Sequence, residues 1–169
     1  MKFRVILIVL IMAFIITISA SAELNPKSHF YTGGGLCGFF NATEIYPGLT
    51  IEAFYSYSLL ASRISIDYLE LGIVRFFSIA GEIGIAVPEK TDFQWYAGAG
   101  AGISPGVAHG LFEDWTKYFC HYFISVSTAF YKRWAGHFGM GFSFTYWIYL
   151  DDLWGRGLFV PRITFGWKF

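Results

Sequence analysis

Large apolar side chains recur at every second position through most of the chain, and glycine, serine, threonine or a lone charge fills the positions between. Residues 92–104, DFQWYAGAGAGIS, put Phe93, Trp95, Ala97, Ala99, Ala101 and Ile103 on one face and Gln94, Tyr96, Gly98, Gly100 and Gly102 on the other. Residues 134–149, WAGHFGMGFSFTYWIY, set Trp134, Phe138, Met140, Phe142, Phe144, Tyr146 and Ile148 against Ala135, His137, Gly139, Gly141, Ser143 and Thr145. A period of two belongs to a strand whose faces meet different surroundings. These segments run to about 10–13 residues, while strands in a soluble sandwich average about five or six. Their second face is also too rich in glycine for one that meets water. A barrel inverted for lipid accounts for both facts: bulky side chains face hydrocarbon, small and polar ones fill a narrow interior, and closure pairs every backbone group.

The alternation is read as eight strands, near 28–40, 48–58, 61–72, 76–87, 92–104, 117–130, 134–149 and 158–169. The connections are NATEIYP (41–47), a tight SLLA (58–61), PEKT (88–91), the long SPGVAHGLFEDW (104–115), YKRW (131–134) and DDLWGRG (151–157). The link between the third and fourth strands carries no clear turn. Parity slips there, since Ile64, Ile66 and Tyr68 share one face and Leu69, Leu71 and Ile73 another, so a bulge or strand end is expected near Tyr68 to Glu70. An even strand number puts both termini on the periplasmic side and turns the loops at 41–47, 72–76, 104–115 and 151–157 outward. Tyr46, Trp95, Trp115, Trp134, Tyr146, Trp147, Trp154 and Trp167, near segment ends, are expected to form two interfacial girdles.

Residues 1–22, MKFRVILIVLIMAFIITISASA, read as a signal peptide: Lys2 and Arg4, an apolar run from Val5 to Ile18, then Ala20-Ser21-Ala22 as a cleavage site. The run falls short of the roughly 18–20 residues that span a bilayer as a helix. Residues 23–169 then form a single barrel domain, with no linker to divide it. That part carries 10 Lys/Arg against 12 Asp/Glu, a formal charge of −2, and gives nucleic acid nothing to bind. At 55% hydrophobic and 21% aromatic, the chain must hide apolar surface without any long helix-forming run. Cys37 and Cys120 fall on opposite faces of strands that are not neighbours, so two free thiols are expected.

The chain closes on RITFGWKF. Phe159, Ile163, Phe165, Trp167 and Phe169 in alternation resemble the C-terminal signature of bacterial outer-membrane barrels, whose last strand ends on an aromatic residue. YAGAGAGIS (96–104) and STAFYKRWAGHFGMGFSFTYW (127–147) look like strands of small eight-stranded barrels of the OmpX, OmpA-transmembrane and OmpW type. The resemblance implies an all-β, up-and-down antiparallel barrel in the outer membrane of a diderm bacterium, surrounded by its lipid. It implies an assembly signal at Phe165, Trp167 and Phe169, recognised by the barrel-assembly machinery. An OmpW-like protein would pass small hydrophobic compounds. A monomer is expected.

Parity places five charged residues on inner faces: Glu52, Arg63, Asp67, Glu82 and Arg162. Charges in a narrow lumen require partners, because an unpaired one costs several kcal/mol. With a tight turn at SLLA, Glu52 is expected near Asp67 with Arg63 bridging them, either as a structural network or as the gate of a small pore. His121 and His137 are expected in the lumen, opposite Ser143 and Ser127 across the YKRW hairpin. Lipid A deacylases and palmitoyltransferases use the same fold, but the deacylase pattern has serine two residues from histidine. The positions two past the four histidines are Tyr31, Leu111, Phe123 and Gly139. No carboxylate falls beside either expected pair, so no catalytic residue is expected. Gly33-Gly34-Gly35 and GAGAG (98–102) lack the lysine and the strand–turn–helix setting of a phosphate loop. No His/Cys/Asp/Glu group has metal-ligand spacing, and no cofactor is expected. The expectation is a narrow conduit for small hydrophobic molecules. A structural or surface-interaction barrel acting through its outward loops is the alternative, and a lipid A-modifying enzyme a weaker one.

Overall fold

A computed structural model describes residues 28–40, 44–71, 73–87, 93–110, 116–151 and 157–169. The expected signal peptide, the PEKT turn, Trp115 and Trp154 lie outside the described residues. Eight antiparallel strands close into a barrel in sequence order, and β1 pairs with β8. They are β1 Ser28–Phe40, β2 Ile45–Tyr57, β3 Leu60–Leu71, β4 Val74–Ala86, β5 Phe93–His109, β6 Thr116–Ala135, β7 Phe138–Tyr149 and β8 Leu158–Lys168. The register followed around the sheet from Phe30, through Tyr55, Ser62, Ile83, Ala99, Val126, Tyr146 and Phe159, returns to β1 at Phe40. That stagger tilts the strands steeply and keeps the lumen narrow.

Alternation sorts side chains as the inverted pattern requires. Leu49, Ile51, Ile83, Ile124, Val126, Phe144, Ile163 and Phe165 point outward, while Tyr31, Phe54, Tyr96, Tyr131 and Trp147 point in. The outward band is about 25 Å tall at the strand tilt of such barrels. Trp95, Trp134 and Trp167 stand at the end that holds the termini, and Tyr68, Tyr122 and Tyr146 at the other. Two expected girdle members are elsewhere: Trp147 is wholly buried in the lumen, and Tyr46 packs against the inner cluster around Phe39.

Several boundaries differ from the sequence reading. Of the bulge or strand end expected near Tyr68 to Glu70, the strand end is found: β3 and β4 pair without a bulge from Leu60↔Ile85 to Leu71↔Val74, and β3 stops at Leu71. Leu69 stays on the inner face, where the upper lumen takes an apolar residue. The β6–β7 turn is Gly136-His137 rather than YKRW, with Gly136 at φ 55°, a conformation that suits glycine. Tyr131 faces inward, and the ladder shifts register between Arg133 and Ala135. Residues 45–47 and 104–109, expected in loops, are strand. Pro105 has no N–H to donate, and the β4–β5 ladder skips from Phe76↔Gly106 to Ile79↔Ile103 around it, while pairing with β6 runs through. On the β7 side the β5–β6 hairpin runs past its neighbour, since Phe123 meets Tyr149 at the end of β7 and β6 continues up to Thr116, while on the other side β5 stays paired with β4 up to Val74↔Ala108.

Candidate functional site

The lumen is stacked in layers. Near the termini, Tyr31, Phe54, Tyr96 and Tyr131 form an aromatic layer, with the Phe54 and Tyr131 rings stacked at 4.5 Å. Towards the other end, Phe39, Leu69, Phe76, Phe123, Trp147 and Tyr149 form a second, with Phe123 on Trp147 at 4.4 Å. Glu52, Arg63, Asp67, Glu82 and Arg162 lie between the two, none more than 4% exposed.

The structure brings these five together as two clusters. Arg63 donates from Nε to Glu52 Oε2 at 3.1 Å, from Nη1 to Glu82 Oε2 at 3.2 Å and from Nη2 to Ser143 Oγ at 2.6 Å. Arg162 grips Asp67 with both prongs, Nε to Oδ1 and Nη2 to Oδ2, each at 2.7 Å. Thr145 Oγ1 accepts from Arg162 Nη1 at 2.6 Å and from Arg63 Nη1 at 3.4 Å, and so links the clusters. Hydroxyls complete the carboxylates: Thr164 donates to Glu52 Oε1 at 2.6 Å, Tyr31 donates to Thr164 at 2.9 Å, and Ser127 donates to Glu82 Oε2. The Arg162 guanidinium also lies 5.6 Å from the centre of the Trp147 ring.

The expected bridge of Glu52 and Asp67 by Arg63 is replaced by this arrangement. The turn at Ser58-Leu59 sets Thr50 opposite Asp67 and Glu52 opposite Ser65, which leaves Asp67 to an arginine from β8. A bidentate pair inside a dry lumen holds its geometry because any other pose strands a charge in a low dielectric.

The two histidines part company. His121 faces the lumen mouth, where Nδ1 bonds Asp151 Oδ2, and it meets no Ser143; Ser143 pairs with Ala129. His137 is not a lumen residue. It sits in the β6–β7 turn, stacked on Phe169 at 5.1 Å, and Ser127 pairs with Thr145 instead. Moving the turn from 131–134 to 136–137 displaced both expected pairings. Phe165 and Trp167 face outward, whereas Phe169 exchanges two main-chain hydrogen bonds with Phe30, at 2.9 and 2.7 Å, and closes the barrel at its base. Both cysteines are free, Cys37 inside and Cys120 exposed outside. The hydroxyls that serve the arginines carry no signal in the sequence, nor does Asp151, whose place beside His121 follows only from the β6–β7 register.

A closed barrel with a polar core and a lipid-facing girdle defines the class: a small eight-stranded outer-membrane barrel, resident in that membrane. Solved structures of this class match it over nearly their full length. Ail, the attachment invasion locus protein of Yersinia pestis, solved with the heparin analogue sucrose octasulfate, aligns at TM-score 0.61 and 11% identity, over 85% of this chain and 99% of that one. The N-terminal β-barrel domain of Pseudomonas aeruginosa OprF aligns at 0.60 and 11% identity, over 85% and 98%. Neisserial surface protein A aligns at 0.58 and 9% identity, over 84% and 96%. Likeness at that identity is likeness of fold. No family model matches the chain, and no curated protein matches it in sequence.

Proposed function

We propose that the chain is a non-conducting outer-membrane barrel that displays its β5–β6 hairpin at the cell surface, its lumen serving as a structural core. The layered interior carries this reading. Tyr31, Tyr96, Tyr131, Phe39 and Trp147 leave no surface to water, and the arginines between them are locked to carboxylates from three strands. A solute moving along the axis would have to break both clusters. A sideways exit for hydrophobic compounds, the OmpW-like alternative, needs a gap in the wall, and every neighbouring pair of strands is hydrogen-bonded. Among the described residues, β6 runs past the end of β7 and carries Tyr118 exposed on its outer face. Two similar structures belong to proteins named for attachment or for the surface, which agrees with a display role.

Single-channel recording of the folded barrel in planar lipid tests the closed lumen: a silent membrane is expected, and discrete conductance steps overturn it. Replacing residues 106–115 with a Gly/Ser linker is expected to abolish binding of expressing cells to immobilised heparin, the glycan class mimicked by the ligand in the Ail structure. Undiminished binding would remove the hairpin from the account.

A further inference from the structure

Three side chains at the outer mouth of the lumen, drawn from β5, β6 and the residues after β7, share one small region. His121 is 6% exposed and holds Asp151 through Nδ1, while its Nε2 has no hydrogen-bond partner among the described residues. With Nδ1–H donated to the carboxylate, Nε2 carries the free lone pair, which is the tautomer a general base needs. Ser104 stands directly across from His121 in the β5–β6 register. Both side chains point inward, and directly opposed residues have Cβ atoms about 4.5–5.5 Å apart. The Ser104 hydroxyl shares a hydrogen bond with Ser78 Oγ at 2.6 Å and another with Tyr149 OH at 3.4 Å.

We propose that Ser104, His121 and Asp151 form an acyl-transfer site that hydrolyses carboxylic esters. Along the chain no serine stands two residues from a histidine, so spacing alone does not reveal such a site. Strand pairing supplies both partners from elsewhere in the chain. Ser104 Oγ bonds to the ester carbonyl carbon and passes its proton to His121 Nε2. The hydroxyls of Ser78 and Tyr149, already beside Ser104, donate to the carbonyl oxygen as it gains charge. As the ester C–O bond breaks, the leaving alkoxide takes the proton from Nε2. Water then adds to the acyl-serine, giving one proton to Nε2, which returns it to Ser104 Oγ as the acid departs. Asp151 touches no reacting atom and is a positioning residue that fixes the tautomer and the ring. Phe119, half-buried, lies against His121 with the two rings 5.1 Å apart and tilted by 34°.

The folded barrel in detergent micelles, its folding shown by the mobility difference between boiled and unboiled samples, is treated with a fluorophosphonate and mapped by peptide mass spectrometry. Labelling of Ser104 is expected; a folded barrel that is unlabelled, or labelled at another serine, overturns the proposal. Hydrolysis of p-nitrophenyl acetate, and of phospholipid and lipid A in parallel, separates a soluble ester from a membrane one. Hydrolysis of none of them overturns the proposal. Ser104→Ala and His121→Ala are each expected to lower the rate about 10³-fold. Asp151→Asn is expected to lower it at least about 10²-fold and to change its pH profile, which a merely structural contact would not do. Wild-type rates in folded Ser104→Ala would also overturn it.

Discussion

A single buried pair shows how much one side chain carries here. Asp67 and Arg162 are both fully enclosed, so removing either leaves the other charged in a dry lumen. Arg162→Ala is expected to destabilise the barrel by about 3–5 kcal/mol, read as the shift of urea-induced unfolding in lipid vesicles. The double variant Asp67→Leu with Arg162→Leu, which strands no charge, is expected to recover most of that loss. Parity alone put all five charged residues inside, because an inner position needs only correct counting along one strand. Their partners depend on register between strands, and that register is set by turn residues. Reading Ser58-Leu59 two residues too wide was enough to misassign Arg63, and placing the β6–β7 turn at YKRW was enough to carry His137 into the lumen. Lys132 and Arg133 looked like a polar turn, yet they lie within β6 beside the aromatic boundary, where long cationic stems reach the interface.

Strand packing depends on which glycines face a neighbour's backbone. A Cβ at Gly100 would stand 1.9 Å from Gly81 O and 2.7 Å from Glu82 Cα, both backbone atoms that cannot swing away. One at Gly81, on the outer face of the partner strand, would meet nothing within 4 Å. Gly100→Ala is therefore expected to cost about 1–3 kcal/mol, and Gly81→Ala to stay within about 0.5 kcal/mol, in the same unfolding measurement. Alternation separates the two by face, Gly100 inward and Gly81 outward, but it does not give the distance from either to the next strand. The eight strands themselves were legible, and β1 in full, because lipid on one side and a packed lumen on the other leave few exceptions to the pattern. The ends of β2, β5 and β6 were not: Pro47 and Pro105 read as turn residues, while cross-strand hydrogen bonds extended the strands through them.

The barrel as a whole places its tryptophans by depth. Trp95, Trp134 and Trp167 ring the end that holds the termini, and Trp147 lies inside the lumen. Single-tryptophan variants in vesicles of brominated lipid are expected to show strong quenching at Trp134 and Trp167 and almost none at Trp147; lipid-accessible Trp147 fluorescence would contradict the inward face of β7. The same depth profile sets the charged layer near the middle of the bilayer, between the two aromatic layers. Asp67 and Arg162 stand 95 positions apart in sequence, on β3 and β8. Neither can enter hydrocarbon alone at tolerable cost, and Arg63 needs carboxylates from both β2 and β4. Strand-by-strand insertion would carry naked ions through the membrane core. The last strand must therefore already be folded back on the first four before the sheet sinks, so the charges that lock the finished lumen also dictate the order in which the protein is made.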